Sequence, residues 1–191
     1  YTDFGALSNS NNFYPGTGTV DVKSWQNGEW SHIATLEGNS NGDRFGYDIA
    51  LSGNGEMLAA AAPGASWGYD YNQEISYVKT YVLQPSEEGY LYTANGTLFG
   101  DILYNVSVST NYNGDLILFG KPYGDGSVSI YNNFNNNSWE LYGDIVGCCN
   151  DNYGLATAAN RDGNQIALSS VLANNYQGAV TVLSSSWCGC T

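Results

Sequence analysis

The sequence predicts an all-β chain, a β-propeller-like array of four-stranded antiparallel units, about 3.5–4 repeats with essentially no helix. Three observations predict it. First, three phrases share one skeleton: IALSGNGEMLAAAAP at 49–63, VSVSTNYNGDLILFGKP at 106–122 and LATAANRDGNQIALSSV at 155–171. Each is an apolar or alternating strand, a polar turn ending in glycine, and a second apolar strand. Aligned on Gly55, Gly114 and Gly163, the second strand ends eight residues later, at Pro63, Pro122 and Val171. Second, a further strand follows each phrase, most plainly GSVSI at 126–130 and GAVTV at 178–182. Third, no stretch combines a 3.6-residue apolar period with helix caps.

The units follow in order within one repeat domain spanning 1–191: an incomplete unit at 1–41, complete units at 42–98 and 99–150, and a truncated unit at 151–191. Alternation places the strands of the first complete unit at 47–52, 57–62, 76–83 and 90–98, and those of the next at 105–109, 116–120, 127–131 and 139–146. The last unit has strands at 155–159, 165–169 and 179–183, then a short one at 187–191. At the other end, GTVDV at 18–22 matches the third strand of the later units. Trp30 precedes Gly38 by the same interval as Trp139 precedes Gly147. Residues 1–7 then take the second-strand position, so the first unit lacks its inner strand. The chain opens at Tyr1, without Met and in mid-repeat, as a processed form or a piece of a longer protein would.

An unpaired inner edge invites pairing with another chain unless something covers it. A ring could close by pairing its two ends, the segment could belong to a larger propeller, or a neighbouring protomer could supply the strand.

Composition narrows the partners. The formal charge is −13 with only five Lys plus Arg. Nucleic acid is therefore excluded as an expected partner, because binding it needs clustered cations, and so are anionic membrane surfaces. Divalent cations, basic partners or solubility fit such a charge. Abundant Gly, Asn and Ser suit tight turns, while 42% hydrophobic content and five Trp argue for an ordered core. No apolar run is long enough to span a bilayer as a helix and no signal peptide is present, so no membrane insertion is expected. Scarce Lys with abundant Asn, Ser, Thr and Tyr resembles secreted proteins and points to the extracellular space or cell surface.

Four cysteines form two clusters, Cys148-Cys149 and Cys188-Gly-Cys190. A bond between sequence neighbours is strained, so disulfides crossing between the clusters are favoured; they would tie the C-terminal tail to the preceding repeat in an oxidising compartment. Zinc is the competing reading, against which stand the absent CxxC spacing and the absence of a nearby His.

The stretch FGYDIALSGNGEMLAAAAPG at 45–64 resembles an FG-GAP-type β-propeller repeat, of the kind found in the integrin α-subunit propeller. The matching pieces are Phe45-Gly46, the IALS strand, the Asn54-Gly55 turn, the apolar strand and Ala62-Pro63. The second unit keeps Asn113-Gly114, Pro122 and GSVSIY at 126–131, with Phe99-Gly100 displaced by an insertion. The third keeps Tyr153-Gly154 and Asp162-Gly163 but has Val171 in place of proline. The resemblance implies an extracellular, non-enzymatic scaffold whose loops bind. Calcium-binding members line one turn with several carboxylates. The turns at 52–56, 110–115 and 160–164 offer at most one or two each, so Ca²⁺ is not carried over and no cofactor is expected. Asn-Gly and Asp-Gly there are hairpin chemistry.

No active site is legible. His32 stands near no Ser/His/Asp arrangement and reads as a strand-face histidine. Glu87-Glu88, beside Pro85 and Gly89, reads as a solvated loop rather than a glycosidase pair. Phosphate-binding glycine fingerprints are absent. The chain is expected not to be an enzyme. For ligand binding, Trp67, Tyr69 and Tyr71 in WGYDY at 67–71 are the candidates, since aromatic faces pack against sugar C–H faces. Three sequons are glycosylation candidates: Asn136 in a polar turn, Asn95, and Asn105, which opens a predicted strand and is expected to be less accessible.

These readings converge on a structural or interaction protein whose main partner is itself, a filament or surface-appendage subunit using strand completion between protomers. The alternative is a monomeric secreted propeller that binds a protein or glycan ligand through its loops.

Overall fold

The computed structural model describes residues 2–3, 16–64, 75–86, 89–100, 105–133 and 138–184. Within them the chain forms four antiparallel meanders. The first sheet contains β1 (Thr2–Asp3), β2 (Thr19–Gln26) and β3 (Glu29–Glu37). The second contains β4 (Asp48–Leu51), β5 (Met57–Ala62), β6 (Tyr77–Ser86) and β7 (Gly89–Phe99). The third contains β8 (Ser107–Thr110), β9 (Leu116–Lys121), β10 (Ser127–Asn132) and β11 (Glu140–Val146). The fourth contains β12 (Tyr153–Ala159), β13 (Gln165–Ser170) and β14 (Ala179–Ser184). One helical turn, α1 (Ala173–Tyr176), interrupts the strands, and left-handed Asn174 and Asn175 keep it from being a regular helix. The chain is thus all-β, with almost no helix. The strand predicted at 187–191 and most of 1–7 lie outside the described residues.

The apolar strands after each glycine turn are the centres of this structure. All six residues of β5 are buried, as are the first five of β9. Successive residues of a strand point to opposite faces, so one strand feeds two cores. From β5, Leu58, Ala60 and Ala62 pack with Val20, Leu36, Phe45, Tyr77, Tyr81 and Tyr92 between the first and second sheets. Met57, Ala59 and Ala61 pack with Val106, Val108, Ile117 and Phe119 between the second and third. From β9, Leu116 and Leu118 pack with Val128, Tyr153, Ile166 and Leu168 between the third and fourth. The alanine run of β5 is matched by aromatic partners on both sides, which is how small and large side chains fill one layer without voids.

Polar contacts hold the inner strands side by side. Asp48 Oδ2 accepts the Val108 N–H at 2.8 Å, and Ser109 Oγ donates to Thr157 Oγ1 at 2.9 Å. The glycine turns form a rail across three sheets: Asn54 N–H donates to the Tyr112 carbonyl, and Tyr112 N–H to the Arg161 carbonyl, both at 3.0 Å. The Arg161 guanidinium lies 4.0 Å from the centre of the Tyr112 ring, a cation–π contact.

Successive sheets are joined by a repeated junction. Phe45 N–H donates to the Thr17 carbonyl at 3.0 Å and Tyr153 N–H to the Asp125 carbonyl at 3.1 Å. Gly18 and Gly126 have φ of 79° and 75°, and a Cβ on either would collide with the backbone of Phe45 or Tyr153. Glycine is required there both for its conformation and for the close approach. Asp43, wholly buried, accepts from Asn39 N–H, Ser40 N–H and the Tyr77 hydroxyl at 2.7, 2.8 and 2.5 Å. It anchors the link from the first sheet to the second.

The first interface is rich in tyrosine, and burial raises the phenols of Tyr77, Tyr81 and Tyr92, that of Tyr81 to about 12. An exposed tyrosine in the unfolded chain loses its proton near 10. The folded state therefore holds protons that the unfolded state gives up, and this contribution to stability is complete below pH 10 and declines as pH rises toward 12. Urea midpoints measured from pH 8 upward are expected to stay level until about pH 10 and then fall. Tyr81→Phe should make that fall shallower; an unchanged slope would place the titration elsewhere.

Candidate functional site

Two surfaces stand out because the repeat pattern covers their counterparts elsewhere. The first is a groove of about 1010 Å³ between the first two sheets. Val20, Val22 and Ile33 line one wall together with Asp21, Lys23 and His32, and Ile49, Leu51, Leu58, Leu83 and Leu91 line the other. Ile49 and Leu51 on β4 are 41% and 58% exposed. Pairing across the sheet makes Val108 on β8 the counterpart of Ile49, since Ile49 lies opposite Ala60 and Val108 opposite Phe119; yet Val108 is buried. The difference follows from strand count: among the described residues the first sheet has no inner strand to set against β4.

The turn glycines repeat the observation. A Cβ on Gly114 would lie 2.5 Å from Met57 Cβ, and one on Gly163 would lie 3.1 Å from Leu116 Cδ2, each in the preceding sheet. A Cβ on Gly55 would meet nothing within 4 Å. Among the described residues the first sheet supplies no wall at that place.

The second surface is the free face of the fourth sheet. Four third-position strands carry equivalent pairs. Val78 lies opposite Ala61, Val128 opposite Gly120 and Val180 opposite Ser169; two residues on, Thr80, Ile130 and Val182 lie opposite Ala59, Leu118 and Ala167. Val20 holds the same place in the first sheet. Val20, Val78 and Val128 are buried against the next sheet, whereas Val180 and Val182 are 70% and 64% exposed.

A third feature escaped the sequence reading. The Asn27-Gly28 turn, with both residues at positive φ, sets Trp25 opposite Trp30, and the rings meet edge to face with centroids 5.3 Å apart. Both are largely exposed. Beyond them His32 Nε2 lies 3.0 Å from Thr35 Oγ1, which donates to Asp21 Oδ1 at 2.7 Å. Because the threonine hydroxyl donates to the carboxylate, His32 donates from Nε2. The signal was present in WQNGEW at 25–30: a two-residue Asn-Gly hairpin puts its flanking residues face to face.

The predicted site residues fare differently. Trp67, Tyr69, Tyr71 and Asn136 lie outside the described residues, as do Glu87-Glu88. Asn95 is exposed on β7. Asn105 does not open a strand and is not shielded, contrary to expectation: it is exposed, precedes β8, and accepts from the Tyr47 hydroxyl at 2.7 Å. Cys148 and Cys149 are exposed free thiols in the connection between the third and fourth sheets, and no disulfide is found among the described residues. Their expected partners Cys188 and Cys190 lie outside. A hydrogen bond with Cys149 raises the Cys148 thiol, which lowers its thiolate fraction at neutral pH. Phe99, the displaced counterpart of Phe45, is exposed while Phe45 is buried, and register places the true counterpart at residue 104, outside the described residues.

No protein-family model matches the chain, and no curated protein is significantly similar to it.

Trp25→Ala is expected to lower stability by about 0.5–1.5 kcal/mol, the value of an aromatic pair beyond simple burial. Urea unfolding, with loss of the coupled-indole circular dichroism band, measures it. A variant as stable as the parent would mean that the pair contributes nothing to the hairpin.

Proposed function

We propose that this chain is a non-enzymatic extracellular structural subunit that assembles with copies of itself by strand completion. In this reading the four sheets are blades of an FG-GAP-like propeller arc, and a neighbouring protomer adds the inner strand of the first. The observation that carries the reading is the groove at Ile49, Leu51 and Gly55. A strand entering there pairs with the edge of β1 that is open among the described residues and covers Ile49, whose counterpart Val108 is buried, together with Leu51 beside it. Backbone pairing would supply affinity, and the alternating apolar side chains of the groove would set register.

The test is negative-stain imaging and solution mass of the purified chain beside Leu51→Asp. A carboxylate in the groove would have to lose its water to an incoming strand. Regular filaments or stacked particles that Leu51→Asp abolishes support strand completion; uniform monomers in both samples overturn it.

The exposed Trp25–Trp30 pair favours the second reading, a propeller that binds ligand on its surface. Aromatic faces beside a histidine, a threonine and a carboxylate offer stacking and hydrogen bonds together, as a glycan requires.

A further inference from the structure

We propose that the free face of the fourth sheet is a second self-association surface, and that it docks against the same face of another copy in a closed two-fold pair. The inference rests on the reading that copies of this chain associate, but on a different surface and a different geometry.

The repeat supplies the first argument. One face of each sheet is built to be covered by the next: Val20 in the first, Val78 and Thr80 in the second, and Val128 and Ile130 in the third are all buried. Val180 and Val182 continue the series in sequence and in register. No core among the described residues joins the fourth sheet to the first. The face is therefore the continuation of an interface that the molecule already makes three times in succession.

Chemistry selects the occupant. The face carries Ala158, Gln165, Ala167, Ser169, Val180 and Val182, with no charged residue among them. Two copies of a protein with formal charge −13 repel one another, and an uncharged face is where that repulsion costs least. The opposite end of the molecule offers a poor complement. Around the exposed Trp25–Trp30 pair, the outer face of the first sheet presents Asp21, Lys23, His32, Thr35 and Glu37. Seating valines on it would strip water from carboxylates and an ammonium without pairing them. The same face of a second copy buries valine on valine and strands no charge. Self-complementary contact of this kind closes at two subunits and does not propagate.

Size sets the strength. Three strands spaced about 4.8 Å apart, with about six residues each at about 3.3 Å, give a patch of a few hundred Å². That is below a standard interface of about 800 Å² per partner. The pair is accordingly weak, forming in the micromolar-to-millimolar range.

Sedimentation equilibrium of Leu51→Asp, in which the groove is closed to a strand, isolates this surface. The expected result is a monomer–dimer equilibrium that stops at two. Adding Val180→Lys and Val182→Lys should weaken it at least tenfold with an unchanged circular dichroism spectrum. Val180→Thr with Val182→Thr, which keeps β-branching, should fall between. A Leu51→Asp protein that is monomeric at about 1 mM overturns the proposal, as does growth beyond dimers or a dimer indifferent to the lysines. The two readings fail separately: loss of filaments in Leu51→Asp leaves this dimer intact, and loss of the dimer in the lysine variant leaves growth through the groove.

Discussion

A central strand that is buried on both faces needs a sheet on either side of it, and this constraint governs the whole molecule. β5 and β9 send alternate residues into two different cores, so neither the second nor the third sheet is stable as an independent layer. The glycine junctions and the rail of turn amides serve the same end, holding successive sheets close enough for alanine and phenylalanine to fill the space between them. Such a stack stabilises its middle at the expense of its ends, as repeat arrays do.

The two ends solve the problem differently. At the first sheet the outward face carries a His32–Thr35–Asp21 chain and an exposed tryptophan pair, while the inward side opens into a groove where the described residues supply no inner strand. At the fourth sheet Val180 and Val182 are exposed, and no sheet among the described residues lies over them. The two ends thus differ, with polar and aromatic side chains exposed at one and valines at the other. A terminal cap would be polar outside at both ends.

Much of the fold was legible because period-two alternation and glycine turns are local signals. The strand at 57–62 and the turns at Gly55, Gly114 and Gly163 stand where alternation put them. The match of β3 to β11 was legible in the equal intervals from Trp30 to Gly38 and from Trp139 to Gly147. The surfaces were harder. Exposure of Ile49 and Val180 depends on which sheet stands opposite, and that is set by strand count and stacking, not by the residues themselves. Asn105 misled because it precedes an apolar run, yet the ladder begins two residues later at Ser107. The tryptophan pair is legible from its Asn-Gly hairpin, which sets Trp25 opposite Trp30, whereas composition alone does not distinguish it from the aromatic cluster at 67–71.

Hydrogen exchange followed by mass spectrometry, on dilute and concentrated protein, tests most directly whether the open ends meet other copies. Raising the concentration is expected to slow exchange at 48–51 and 179–184 and to leave β9, already sealed between two sheets, unchanged. Identical uptake in both end segments at both concentrations would contradict it, and would mean that the stack stands alone with its ends in water.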